Sequence, residues 1–198
     1  MAGALATAHR QAQLKIRART LRELNALWPG IDWSNLDRAF PVWVELVSGI
    51  VARNRADSTT LAAAYLKATR KAAGILGAAP ISLAGPVPDS QLFTSLWVTA
   101  GLGVQAAGAD PALANTAVAK AFVKSSGAVT RLVLAGGRET ITETTRADPR
   151  AVGFERVTSP NCCDFCSDLA AMAETNPALA TDFEAHDHCG CSAEPVYG

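Results

Sequence analysis

All five cysteines of this 198-residue chain lie within its last forty residues, and two of its three histidines join them. The order is Cys162-Cys163-Asp164-Phe165-Cys166, a spacer of nineteen residues, then His186-Asp187-His188-Cys189-Gly190-Cys191. A gap of two residues lets two side chains reach one metal ion from a tight turn, and Cys163/Cys166, His186/Cys189 and His188/Cys191 all have it. The sequence Cys, Cys, His, Cys matches a structural zinc site closed by four protein ligands, so the spacing predicts about one structural zinc per chain. Cys163 and Cys166 form the preferred first pair. For the second pair His186 with Cys191, His186 with Cys189, and His188 with Cys191 all remain open, which makes Cys163, Cys166, His186, Cys189 and Cys191 the candidate metal ligands. Gly190 lets the backbone turn so that either flanking sulfur can face inward. Free cysteines buried as small apolar residues rarely gather in two such clusters. A disulfide between the halves gains weight only in an extracellular particle.

The same residues speak against catalysis. Thiolates spent on metal are no longer nucleophiles, and no separate Cys/His pair survives once four groups are ligands. A metallohydrolase needs an open coordination position beside an acid/base carboxylate, and nothing places Asp187 or Glu184 beside a metal-bound water. The chain has no phosphate-binding glycine loop and no nucleophile elbow; Gly101-Leu102-Gly103 is too short for either.

The rest of the chain reads as helix. Apolar residues make up 49% and charged residues 18%, enough for a core, and frequent Ala with 6% aromatics favours closely packed helices over a sandwich or barrel. Leu5 to Trp28 carries Leu14, Leu21, Leu24 and Trp28 on one stripe and is stopped by Pro29-Gly30. Asp32 or Ser34 offers the next N-cap, and Pro41 opens or kinks a helix bearing Trp33, Leu36, Phe40, Trp43, Val44, Val47 and Val51. Asp57-Ser58-Thr59 reads as a cap or break before a helical pattern that continues to Gly77. Proline and glycine make 79–89 a loop, and Gln91 to Ala107 resumes as a helix weakened by Gly101 and Gly103. Pro111 suits the first turn of a helix carrying Leu113, Val118, Phe122, Val129 and Leu132, which Gly136-Gly137 ends. Thr140 to Thr145 suits a strand or a short helix running into Asp148-Pro149. Gly153 to Thr158 alternates as a strand stopped by Ser159-Pro160, Cys166 to Thr175 suits a short helix, and Ser192 to Tyr197 an edge strand. The expected fold is α+β: mostly antiparallel helices in a body at 1–137, and at 138–198 a zinc-knuckle-like module with short strands, too small to hold itself together by apolar burial.

A net charge of zero hides an asymmetry. Residues 1–71 hold 11 Lys/Arg against 5 Asp/Glu, whereas 148–198 hold 2 against 9. The densest basic cluster, Arg10, Lys15, Arg17, Arg19 and Arg22, suits a solvated helix face or contact with DNA or an acidic protein. No run approaches the roughly 20 apolar residues of a membrane span, and Met1 to Ala8 lacks the features of a secretory signal. These point to the cytoplasm of the cell that makes the chain.

The segment from Ala147 to Tyr197 resembles a known family. Ala147-Asp148-Pro149-Arg150, Gly153-Phe154-Glu155-Arg156-Val157, Cys163-Asp164-Phe165-Cys166 and the run from His186 to Val196 are similar to the MuF-like minor head proteins of tailed bacteriophages, particularly those of actinobacteria. The resemblance extends more weakly over the helical body. The family's closing motif, His, two residues, Cys, one residue, Cys, falls on His186, Cys189 and Cys191; His188 and Cys162 are additions to it. The resemblance implies a low-copy structural component of the virion or procapsid interior, made in the host cytoplasm and associated with portal or major capsid protein and with scaffold. Packaged DNA would meet the basic first helix. Some relatives are labelled capsid or scaffold maturation proteases, which makes that the alternative function. A protease of this type needs a serine with a histidine partner, for which His9, His186 and His188 are poorly supplied, so the chain is expected not to be an enzyme.

Overall fold

The computed structural model describes residues 2–108, 111–158, 162–175 and 183–198. Its elements in order are α1 (Ala2–Leu27), α2 (Leu36–Ala72), α3 (Asp89–Leu96), α4 (Leu102–Ala107), α5 (Pro111–Ala147), β1 (Ala151–Val157), α6 (Asp164–Thr175) and β2 (Ser192–Tyr197). The fold is mostly helical, with β1 and β2 paired antiparallel as a small C-terminal sheet. The expected strand stop at Ser159-Pro160 lies outside the described residues.

α1 ends where Pro29 closes a 3-10 turn over Trp28–Gly30, and the chain returns antiparallel as α2. The cap of α2 is Asn35, one residue beyond Ser34 and three beyond Asp32: its side chain accepts from Arg38 N at 3.3 Å, while Asp32 instead accepts from Ser34 N and Oγ. Pro41 sits inside α2, in its second turn, where it offers no N–H to the Asp37 carbonyl. Trp28 meets Trp33, Trp43 and Phe122 at ring separations of 4.4, 4.9 and 5.2 Å, which joins this hairpin to the first half of α5. Between α3 and α4 the helix widens to a π turn at Trp97–Gly101, and the Trp97 ring lies against Gly101, where a Cβ would come within 2.3 Å of it.

Two expected interruptions are corrected, and they meet at one place. α2 runs unbroken through Asp57-Ser58-Thr59, and α5 runs unbroken through Gly136-Gly137. A Cβ on Gly136 would lie 2.7 Å from Arg55 Cγ and 3.0 Å from Arg55 O; one on Gly137 would lie 2.6 Å from Gln13 Nε2 and 3.2 Å from Ser58 O. The glycines therefore mark a close crossing of α1, α2 and α5. Ser58 Oγ accepts from Gly137 N at 3.0 Å and donates to Gln13 Oε1 at 2.7 Å. The division expected at 137/138 consequently falls inside α5.

Contacts advance in register along the two longest helices, from Arg55 with Leu132 through Ser58 with Gly137 to Arg70 with Asp148. α2 and α5 thus run parallel, while α1 packs antiparallel to both, with its Trp28 end on Phe122 and its Gln13 on Gly137 of α5. The reason is the intervening segment of loop, α3 and α4, long enough to carry the chain back to the start of α2. That loop is held by α5. Thr140 and Thr144, in the segment that suited strand or helix, are helical, and their hydroxyls accept from Ala84 N at 3.0 Å and Ser82 N at 2.9 Å.

Near the other end of α1, His9 is buried and stacks on Tyr65 at 4.4 Å. Burial lowers its pKa to about 4. An unfolded histidine takes up a proton near 6.5 and this one does not, so folding stability falls as pH drops from 6.5 toward 4. In His9→Phe this part of the pH dependence should disappear, which denaturant titrations at pH 7 and 5 will measure. Gly136→Ala and Gly137→Ala should each destabilise by about 1–3 kcal/mol through overpacking. Gly49→Ala, on an exposed helical site with nothing within 4 Å of its Cβ, should stabilise by about 0.5–1 kcal/mol. Equal melting temperatures for all three would remove the crossing from this account.

Candidate metal centre

Three short pieces of chain bring the donors together. Cys163 precedes α6 and its carbonyl accepts from Ser167 N at 3.0 Å, so Cys163 and Cys166 both stand at the opening turn of that helix. A tight turn in which Cys189 N donates to His186 O at 3.2 Å carries the next two, and Cys191 immediately precedes β2. The His186 Nε2 atom lies 3.1 Å from Cys163 Sγ and 3.3 Å from Cys166 Sγ, and Cys166 Sγ lies 3.6 Å from Cys189 Sγ. Donor atoms of Cys163, Cys166 and His186 fall within 4.8 Å of one another, as do those of Cys166, Cys189 and Cys191. Cys166 belongs to both sets.

These separations fit a tetrahedral ion, in which Zn–S bonds of about 2.3 Å put sulfurs roughly 3.8 Å apart. His186 Nδ1 stands 2.6 Å from the carbonyl oxygen of Asp187, and donating to it would leave Nε2 free to ligate toward the thiols. The cluster is thus a Cys3His-type site suited to one structural zinc per chain, with a fifth donor to spare. Cys166, Cys189 and Cys191 are buried, while Cys163 and His186 face solvent.

The electrostatics of the metal-free thiols differ by position. The Cys191 thiol beside Cys189, with help from the Arg138 guanidinium, brings the Cys189 thiol down to about 4. Burial pushes Cys166 up to about 11. The Cys166 backbone amide lowers Cys163, and the hydrogen bond to the Asp187 carbonyl raises His186.

Of the alternatives left open by spacing, the structure separates His188 from the donors. His188 adopts φ +64°, and its ring lies over α5, where a Cβ on Gly127 would come within 2.6 Å of Nε2. Cys162 packs beside the buried sulfurs but belongs to neither donor set. Asp187 pairs with Arg131 at 2.8 Å, and the Glu184 carbonyl accepts from Arg156 at 2.5 Å.

Arg138 was not among the residues singled out from the sequence. It is 5% exposed. It donates from Nε and Nη2 to Cys191 O at 3.1 and 3.0 Å, and from Nη2 to Cys189 O at 2.9 Å. Phe183 packs against both Arg138 and Arg156, 5.2 and 3.9 Å from its ring centre. The signal for Arg138 was hidden by reading Gly136-Gly137 as the end of the helix that carries it.

A family model described as VG15 protein matches residues 2–198. The chain belongs to the VG15 protein family. Neither the curated proteins nor the solved structures gave a match. The family match covers the helical body and the metal module together, so the two are parts of one family unit.

In protein purified under reducing conditions, Cys166→Ala and His186→Ala should each abolish stoichiometric zinc, and His188→Ala should retain it. Of Cys163→Ala, Cys189→Ala and Cys191→Ala, one should keep zinc because its thiol is the spare donor. Full zinc in Cys166→Ala, read by elemental analysis, would dismiss the site.

Proposed function

We propose that this chain is a structural minor head protein of a tailed phage, assembling inside the procapsid or virion against portal or major capsid protein. The observation that carries the reading is the metal cluster itself. Its donors suffice to close a tetrahedron with protein atoms alone, and its carbonyls are tied to α5 by Arg138. Such a centre fastens a loop-rich segment and leaves no coordination position for a reacting water. The resemblance of Ala147 to Tyr197 to MuF-like minor head proteins supplies the phage context. No helix among the described residues is long and apolar enough to cross a membrane.

The basic first helix is available to packaged DNA only in part. Arg19 pairs with Asp57, whereas Lys15 and Arg22 are exposed, so a DNA contact falls chiefly on the latter two. For the alternative, a maturation protease, His9 is buried against Tyr65, and none of the hydrogen bonds among the described residues joins a histidine to a serine.

Co-expression with portal, scaffold and major capsid proteins tests the proposal. The chain should copurify with portal or capsid and leave the scaffold and capsid precursors uncut. Precursor cleavage that disappears when a single serine or cysteine is replaced would establish the protease instead, and no association with either partner would end the head-protein reading.

A further inference from the structure

The first half of α5 is covered by the fold on one side. Its buried Ala121 and Val129 and half-buried Phe122 join the main core, where Phe122 lies 5.2 Å from Trp28. The metal module docks farther along, from Gly127 onward. Asn115, Thr116, Ala119, Lys120, Val123 and Lys124 consequently face outward. Their spacing of three and four puts them on one face of the helix, and Val123 near its centre is 57% exposed.

Two shallow hollows of 410 and 560 Å³ meet at Val123. The first reaches across to α1, where Leu21 and Arg22 line it together with Phe122; the second runs along α5 past Thr116 and Ala119 to Lys120 and Lys124. Around the helix axis, the two lysines fall on one side of Val123 and Phe122 on the other, toward α1 and Arg22. Cations therefore flank an apolar strip on both sides. Among the described residues no carboxylate lines either hollow. Glu23 and Asp187, the acids on the adjoining chain, are bonded to Arg53 and Arg131, and Arg22, Lys120 and Lys124 form no ion pair with a described residue.

That pattern has a definite complement. An exposed valine beside half-buried Leu21 and Phe122 gains by leaving water, and a phosphate backbone offers it no apolar cover. The cations gain from acids aligned with them. We propose that this face docks an amphipathic helix of a partner protein, its apolar stripe on Val123 and Ala119 and its flanking Asp or Glu residues against Arg22 on one side and Lys120 and Lys124 on the other. From Asn115 to Ser126 the helix runs about 16 Å, room for roughly three turns of the partner. Phe122 is fixed by the aromatic cluster, so the floor is formed in advance and the ordering cost falls on the incoming helix. The proposal stands on this face alone, and neither the metal centre nor the phage reading enters it.

A fluorescein-labelled helical peptide of about 18 residues, with leucines at spacings of three and four and glutamates on both flanks, tests it against the full chain by anisotropy. The peptide should bind, less tightly as salt rises, and Val123→Asp should weaken it about 10–100-fold. Lys120→Glu combined with Lys124→Glu should weaken it about tenfold, and a peptide with lysines on that flank should recover affinity for this double variant. Such rescue marks a charge contact, since a damaged fold rescues nothing. Lys67→Glu with Lys71→Glu, an exposed pair on α2, should leave binding unchanged. In the wild-type chain, which needs no variant to fold, the peptide should shift the amide resonances of residues 21–25 and 115–126. Absence of binding, binding indifferent to Val123→Asp, or shifts confined to other residues would overturn the proposal. So would a duplex oligonucleotide or a phosphatidylserine vesicle that displaces the peptide and binds this face more tightly, because the surface would then serve phosphates.

Discussion

The backbones of α2 and α5 pass each other at Ser58 and Gly136-Gly137, and the rest of the molecule is arranged by that approach. Side chains at 136 and 137 would occupy space already taken by Arg55, Thr59, Gln13 and Ser58. Because they are absent, α5 can lie in the angle between α1 and α2 while its 137 amide bonds Ser58. Two glycines inside a helix cost about 1 kcal/mol each in propensity, and a buried three-helix contact offsets that. The parallel run of α2 and α5 follows, and with it the meeting of Arg70 and Asp148 at their far ends. There the Arg70 guanidinium also reaches the Gly77 carbonyl at 2.7 Å.

From Gly127 onward α5 then becomes a platform. One side takes the loop at 79–88 through Thr140 and Thr144, and another takes the metal module through Arg131, Arg138 and the bare surface at Gly127. The module has little apolar core of its own: its buried cluster consists of three cysteines with a few half-buried neighbours. Metal coordination and anchorage to α5 therefore stand in for apolar burial. The opposite charges of the two ends of the chain are partly spent on each other in the Arg70–Asp148 pair.

Membership of the VG15 protein family spans body and module alike, which agrees with a helix that runs from one into the other. A metal centre closed by protein donors, set on a helical platform, has the character of a joint. In a head-assembly role, such a joint would hold the acidic C-terminal segment rigid against the body while other faces of the helices meet a partner.

The sequence by itself determined the metal chemistry, since the two-residue gaps of Cys163/Cys166 and His186/Cys189 are local distances that a turn fixes wherever it lies in the fold. It also determined the helical class, through periodic apolar residues, and the end of α1, through Pro29-Gly30. Only the tertiary structure decided what Gly136-Gly137 and Asp57-Ser58-Thr59 mean. The same residues end a helix when exposed and permit a close crossing when another helix lies against them, and no local pattern tells the two apart. The choice of His186 over His188 was settled likewise by packing, because the turn that aims one ring at the sulfurs sends the other onto Gly127. Arg138 depended on both decisions: its role exists only where an unbroken α5 carries it beneath the cysteine carbonyls, a juxtaposition of residues more than fifty positions apart in the chain.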